Sequence, residues 1–174
     1  MKSVITGGPG FGKTTLINEL RQRGYWGGQE LFDAFILEQL KSGGDALPWI
    51  NRVAFEQAVL PQRIHEYAHA PQEGVIFFDR GFSDHVGYCR ADAIEPLEEW
   101  LEAIKAYPYD AIFLVPPWRD IWHQDEIRRE SWESAVKLHN YIEAAYKEAG
   151  YRPIEVPPGT VQERADFVLA HLSV

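Results

Sequence analysis

The residues best suited to chemistry come first in the chain. Gly7-Gly8-Pro9-Gly10-Phe11-Gly12-Lys13-Thr14 fits G-x-x-x-x-G-K-[ST], the phosphate-binding loop. Glycines let successive backbone N–H groups converge on phosphate oxygens, and a helix N-terminus behind the loop adds partial positive charge. In such a loop Lys13 reaches the β- and γ-phosphates and the Thr14 hydroxyl ligates Mg²⁺. Gly8, Pro9, Gly10, Phe11, Gly12, Lys13, Thr14 and Thr15 are therefore the expected phosphate-binding set. The alternative is a glycine-rich turn that binds nothing, which the Lys and Thr in register argue against.

A second acid must stand beside such a loop. Asp79 ends the run Gly74-Val75-Ile76-Phe77-Phe78-Asp79, which reads as a buried central strand. It is placed to hold Mg²⁺ through water or to take a proton from a substrate hydroxyl, with a loop cap as the bland reading. Arg80 follows directly, able to fork onto a donor or acceptor phosphate, or to form a surface ion pair. Asp84 is a catalyst candidate or a cap for the next helix. Arg119, Arg128 and Arg129 lie in the charged stretch after the fourth strand, where an arginine can close over a triphosphate or simply face solvent. Glu30, Phe35, Trp49 and Arg63 are candidates for an acceptor pocket, since they fall at or after the second strand's carboxyl end. His65 and His69 have zinc-ligand spacing but no adjacent Glu and no third ligand. Cys89 reads as a structural thiol.

The elements that must position these residues follow from pattern and punctuation. Lys2–Thr6 reads as a strand, with a helix after the loop that ends near Gly24. Residues 25–29 read as a second, weak strand, 31–40 as a helix, and Trp49 to about Ala70 as a long helix that Pro61 should kink or split. Pro96 suits the first turn of the next helix. Residues 110–115 and 153–156 are further strands. Ser131 is positioned to cap a helix, and Thr160-Val161-Gln162-Glu163 is a capping box. Strands alternating with helices indicate an α/β fold with a parallel sheet. The 174 residues, 45% hydrophobic, suffice for a single domain over 1–174, with 118–131 as a candidate lid. A formal charge of −9 disfavours a nucleic-acid binder. No apolar run approaches a membrane span, and no leader is legible. The single cysteine fits a cytoplasmic setting.

The order of these parts resembles the nucleoside- and nucleotide-kinase-like branch of P-loop NTPases. More narrowly it resembles a group of small bacterial predicted ATPases with an AAA-type P-loop label, a group similar to a ribosylnicotinamide kinase domain. Thr6–Thr15, Phe77-Phe78-Asp79-Arg80-Gly81, Pro116-Pro117-Trp118, Asp125-Glu126-Ile127-Arg128 and Gly150-Tyr151 carry the resemblance. It implies a three-layer sandwich around a five-stranded parallel sheet in the order 2-3-1-4-5. It also implies Asp79 and Arg80 at the phosphates, and Arg128 as the lid arginine. One departure stands out: kinases of this kind often carry an acid and an arginine together after the second strand, whereas Glu30 is followed by Leu31-Phe32-Asp33. No N-K-x-D motif for guanine follows. The expectation is an ATP- and Mg²⁺-dependent phosphotransferase with a small hydroxyl-bearing, nucleoside-like acceptor. The rival reading is an ATP-hydrolysing switch that acts on a protein partner, with Trp118 and Trp122 as exposed contacts.

Overall fold

The short apolar runs at the centre of the sheet become strands with both faces buried. The computed structural model describes residues 1–123 and 131–173. Strands β1 (Lys2–Thr6), β2 (Trp26–Gly27), β3 (Ile76–Asp79), β4 (Ala111–Leu114) and β5 (Ile154–Glu155) form one sheet, ordered β2-β3-β1-β4-β5. All four pairings are parallel. Helices α1 (Lys13–Gln22), α2 (Leu31–Ser42), α3 (Arg52–His69), α4 (Phe82–Ala91), α5 (Glu98–Ala106), α6 (Trp132–Glu148) and α7 (Val161–His171) flank it. The expected strand order is the observed one.

The pleat sorts the core into two layers. Val4 stands level with Phe78 and Ile112, and all three face α2, α3, α4, α5 and α6. Ile5 and Phe113 are neighbours one residue along, and they join Phe77 on the other face against α1 and α7. Phe77, Phe78 and Phe113 are completely buried, and each such side chain contributes about 1.5–3 kcal/mol of hydrophobic stabilisation. On the first face α4 and α6 pack backbone to backbone: a Cβ at Gly87 would fall 2.7 Å from Ile142 Cα.

Several boundaries differ from the sequence pattern. The third helix begins at Arg52 with Asn51 as its cap, accepting from Ala54 N–H, so Trp49 lies in the preceding turn. Pro61 sits inside α3 without splitting it. Pro96 lies outside α5, whose cap is Leu97. Helix α4 starts at Phe82, and Asp84 belongs to its first turn. The Ser131 cap and the Thr160–Glu163 capping box form as the residue types dictate. Among the described residues no helix is long and apolar enough to cross a membrane.

Because every pairing is parallel, all strand carboxyl ends open on one edge. That edge receives the loop after β1, Glu30 after β2, Asp79 and Arg80 at the end of β3, and the turn after β5. Ligands of open α/β sheets bind there.

Candidate active site

The loop after β1 is held in its phosphate-cradling shape by its own glycines and by the core beneath it. Gly12 is the N-cap of α1 at φ 84°, a left-handed conformation that a side chain strains, and a Cβ there would meet Arg164 Nη1 at 2.9 Å. Phe11 does not face the cleft. Its ring is buried against Trp132 and His139, with centroids 5.6 and 5.9 Å away, so it anchors the loop from behind and offers only backbone to a ligand. Lys13 Nζ donates to Gly8 O at 2.8 Å. Burial, and then the Arg80 charge, push the Lys13 amine down to about 7. An arriving triphosphate supplies the negative charge that favours its protonated form.

A cleft of about 310 Å³ opens from this loop. Pro9, Gly10, Gly12, Lys13, Thr14 and Thr15 form its phosphate wall. On one side lie Trp118, Ile121, His123, Gly159, Val161 and Arg164. On the other lie Glu30, Phe32, Asp33, Ile36, Pro48, Arg52, Phe55, Arg80 and Tyr88. Thr14 and Glu30 meet in the middle, the Thr14 hydroxyl donating to Glu30 Oε2 at 3.1 Å.

Asp79 and Arg80 take different roles at the end of β3. Asp79 is buried, and its Oδ1 has no hydrogen-bond partner. Burial raises its carboxyl to about 6, against the pull of Lys13. Asp79 lies behind the cleft wall, within reach of the Lys13 charge, and an orphaned carboxylate oxygen there, with the Thr14 hydroxyl on the wall, suits Mg²⁺, which takes few protein ligands and completes its shell with phosphate and water. These residues fit the ion. Arg80 adopts φ 66°, costly for a side-chain-bearing residue, and its surroundings over-determine it. Its Nη1 donates to Gly7 O and Asp84 Oδ1, both at 3.0 Å, and its guanidinium lies 5.4 and 5.2 Å from the Phe32 and Tyr88 rings.

Five of the candidate site residues stand elsewhere. Asp84 is fully buried and touches no ligand space: Thr6 Oγ1 and Arg80 Nη1 donate to its Oδ1, Gly81 N–H and Tyr146 Oη to its Oδ2. It positions Arg80 and caps α4. Phe35 is core, edge-on to Phe55 at 5.6 Å. Arg63 is completely buried and pairs with Glu66 at 2.8 Å. Trp49 is exposed in the turn before α3 and does not line the cleft. Arg119 is drawn outside the cleft, over Trp122 and Trp132 at 5.1 and 5.0 Å. Trp118 lines the cleft and Trp122 packs on Trp132, so neither is the exposed partner contact that the switch reading needs. Arg128 and Arg129 lie outside the described residues, as do Asp125 and Glu126. The His65 and His69 rings stack at 3.9 Å, and among the described residues no group of three or more His, Cys, Asp or Glu is arranged to hold a metal.

Sequence reasoning missed Phe32, Asp33, Arg52, Tyr88 and Arg164 as cleft walls. Phe32 and Asp33 had a usable signal, following Glu30 at a carboxyl edge. Arg52 and Tyr88 had none, because they reach the cleft from two separate helices, α3 and α4. Behind this wall Glu56 and His85 form a wholly buried pair through Glu56 Oε2 and His85 Nδ1. Burial raises the Glu56 carboxyl to about 8 and drives the His85 imidazole well down, so at neutral pH the pair shares one proton and carries no charge.

A parallel sheet ordered 2-3-1-4-5, a glycine loop capping α1, and an acid and arginine at the end of the neighbouring strand define a P-loop NTPase fold of the nucleoside-kinase-like kind. The chain belongs to the AAA domain family, whose model matches residues 2–164. Solved structures of similar fold include a deoxyadenosine kinase from M. mycoides with the products dCMP and a flexible dCDP bound, at 18% identity and TM-score 0.71, covering 99% of both chains. The NadR protein in complex with NR is similar at 17% identity and TM-score 0.70, over 99% of this chain and 51% of that one, so this chain spans about half its length. A thymidylate kinase from Ehrlichia chaffeensis aligns at 13% identity and TM-score 0.65, over 99% and 98% of the two chains. No curated protein matches the sequence.

Proposed function

We propose that this chain is an ATP- and Mg²⁺-dependent phosphotransferase whose acceptor is a small, hydroxyl-bearing molecule of nucleoside type. One observation carries the reading: the cleft does not stop at the phosphate loop. It continues past Thr14 and Glu30 into a second compartment walled by Phe32, Ile36, Pro48, Phe55 and Tyr88, with Asp33 on its wall. A pure nucleotide hydrolase has to admit only water there. A phosphotransferase needs space for a second, partly apolar molecule, held in line with the γ-phosphate.

The roles follow from position. Lys13, charged once phosphate is bound, neutralises the β/γ oxygens. Thr14 and Asp79 would hold Mg²⁺, which would supply charge neutralisation. Glu30, the carboxylate on the cleft wall nearest Thr14, accepts the acceptor's hydroxyl proton, and such a base contributes typically 10²–10⁴-fold. Arg80, locked by Gly7 O and Asp84, presents its remaining donors to transferred charge without reorganising. Arg128 is assigned the lid role from the sequence alone. Dissimilar donor and acceptor walls on a single sheet edge support one functional domain.

Coupled ADP-release assays with Mg²⁺-ATP test the reading. Turnover should rise at least tenfold when a mixed pool of nucleosides, sugars and small alcohols is added. Slow turnover indifferent to the pool would favour the nucleotide-switch reading instead.

A further inference from the structure

The donor side of the cleft holds a cation that no described residue balances. Arg164, in the first turn of α7, lines the cleft and is only 4% exposed. Its Nη1 donates to Gly12 O at 3.4 Å, the long end of a hydrogen bond. Its Nε and Nη2 have no hydrogen-bond partner among the described residues, and neither is sealed from solvent, so both open on the cleft. Its acidic neighbour in sequence, Glu163, is taken up by the Thr160 cap. Burial alone lowers the Arg164 guanidinium from its ordinary value, with no acid near enough to raise it. The group stays protonated even so, which leaves a desolvated planar cation with donors to spare.

Its place beside the loop decides which part of a nucleotide meets it. Gly12 O also accepts the first helical bond, from Leu16 N–H at 3.2 Å, so it points down α1 and away from the N–H groups at the helix N-terminus. Arg164 therefore flanks the loop and does not stand over the groups that cradle phosphate. It comes this close because Gly12 has no side chain: a Cβ there would fall 2.9 Å from Arg164 Nη1 and 3.0 Å from Ile121 Cδ1. The surrounding wall is largely apolar. The Trp118 ring centroid lies 5.8 Å from the guanidinium carbon, and Ile121, Gly159 and Val161 line the same side. A phosphate here would meet one cation among an indole and two aliphatic side chains. A flat aromatic ring would meet a planar cation on its π-face and apolar groups around its rim.

We propose that Arg164 is a specificity-determining residue for the donor: it takes the face of the donor's nucleobase, so that the site favours purine over pyrimidine nucleotides and treats adenine and guanine alike. A face contact reads ring size and not the pattern of donors and acceptors on the edge. The inference rests on the phosphotransferase reading only for a nucleotide donor; the binding preference stands apart from turnover.

The test titrates the full chain by calorimetry with the Mg²⁺ complexes of ATP, GTP, UTP and inorganic tripolyphosphate, in wild type, Arg164→Ala and Arg164→Lys. Wild type should bind ATP and GTP within about threefold of each other and at least about tenfold more tightly than tripolyphosphate, with UTP between. Arg164→Ala should weaken ATP and GTP together by about tenfold, and tripolyphosphate by less than about threefold. Arg164→Lys, which keeps the charge and loses the plane, should recover only part of that loss. Tripolyphosphate weakened as much as ATP would give Arg164 a phosphate role and overturn the assignment. So would a loss confined to one purine, which marks an edge reader, or full recovery in Arg164→Lys. Wild type binding tripolyphosphate as tightly as ATP would overturn it too, and that result decides even if a variant misfolds. If neither ATP nor tripolyphosphate binds, the nucleotide-donor reading falls and takes this inference with it. If the expected pattern appears and no acceptor is phosphorylated, Arg164 keeps its role and the phosphotransferase reading falls alone.

Discussion

Replacing Asp84 by Asn leaves the shape of the site intact and removes a single charge, so its effect can be worked from the hydrogen bonds. The carboxylate accepts four: Thr6 Oγ1 at 2.6 Å and Arg80 Nη1 at 3.0 Å on one oxygen, Gly81 N–H at 2.9 Å and Tyr146 Oη at 2.6 Å on the other. An amide has only one accepting oxygen. Turned toward Arg80 it keeps that contact but points its NH₂ at the Gly81 N–H, and Tyr146 must reverse its hydroxyl. The orphaned backbone donor alone costs about 1–3 kcal/mol. The greater loss is electrostatic. Arg80 loses its hydrogen-bonded counter-charge and keeps only the field of Asp79, and breaking such a buried pair costs about 3–5 kcal/mol. The two losses overlap, so about 3–5 kcal/mol is the expected total, a large part of the 5–15 kcal/mol typical of a domain. Urea denaturation followed by tryptophan fluorescence measures it, with Tyr146→Phe as a control that loses one hydroxyl contact, about 1 kcal/mol. Asp84→Asn within 1 kcal/mol of wild type, with an unchanged denaturant slope, would refute the argument that this carboxylate holds Arg80 in its left-handed turn.

Three further outcomes follow from the same geometry. Lys13→Ala should cut Mg²⁺-ATP turnover by about 10²–10³-fold with the far-ultraviolet circular dichroism unchanged, since the amine makes one loop contact, to Gly8 O; normal turnover would remove the phosphate loop from the account. Arg119→Ala should leave turnover within twofold and cost no more than about 1–2 kcal/mol, because Arg119 rests on Trp122 and Trp132 outside the cleft; a hundredfold loss of kcat would return it to the phosphates. Burial raises Glu56 from its ordinary value to about 8, so its contribution is fully present below pH 4.5 and lost as pH climbs through 8. Wild type should therefore lose about 1.4 kcal/mol more than Glu56→Gln for each pH unit between about 4.5 and 8 and little more above that, and parallel urea midpoints at about pH 5 and 7 would contradict that.

The phosphate loop was readable because it is consecutive: its glycines, Lys13 and Thr14 act through local backbone shape. The β3 strand and Asp79 were readable for the same reason, a continuous apolar run ending in an acid. The sheet order came with the resemblance. What the sequence hid is what the fold brings together from a distance. Asp84 has the right type for a substrate contact, but Thr6, 78 positions away, and Tyr146, 62 away, consume it. Trp49 and Phe35 were candidates for base platforms, although aromatics in such a region are more often core. Burial against Phe55 decided one, and a helix beginning three residues later than its pattern suggested decided the other. Arg119 is a cation near a phosphate loop in sequence order, yet two indole faces offer it a closer partner. Arg52 carried no signal, because its place on the cleft wall depends on Tyr88, Asp92 and Glu56 arriving from α4, the turn after it, and its own next turn.

The most direct test of the central claim is ³¹P NMR of the full chain with Mg²⁺-ATP, with and without a pool of nucleosides, sugars and small alcohols. The account predicts a new phosphomonoester resonance that appears only with the pool, grows in step with ADP, and vanishes in Lys13→Ala. Inorganic phosphate as the sole product, formed at the same rate with or without the pool, would contradict it.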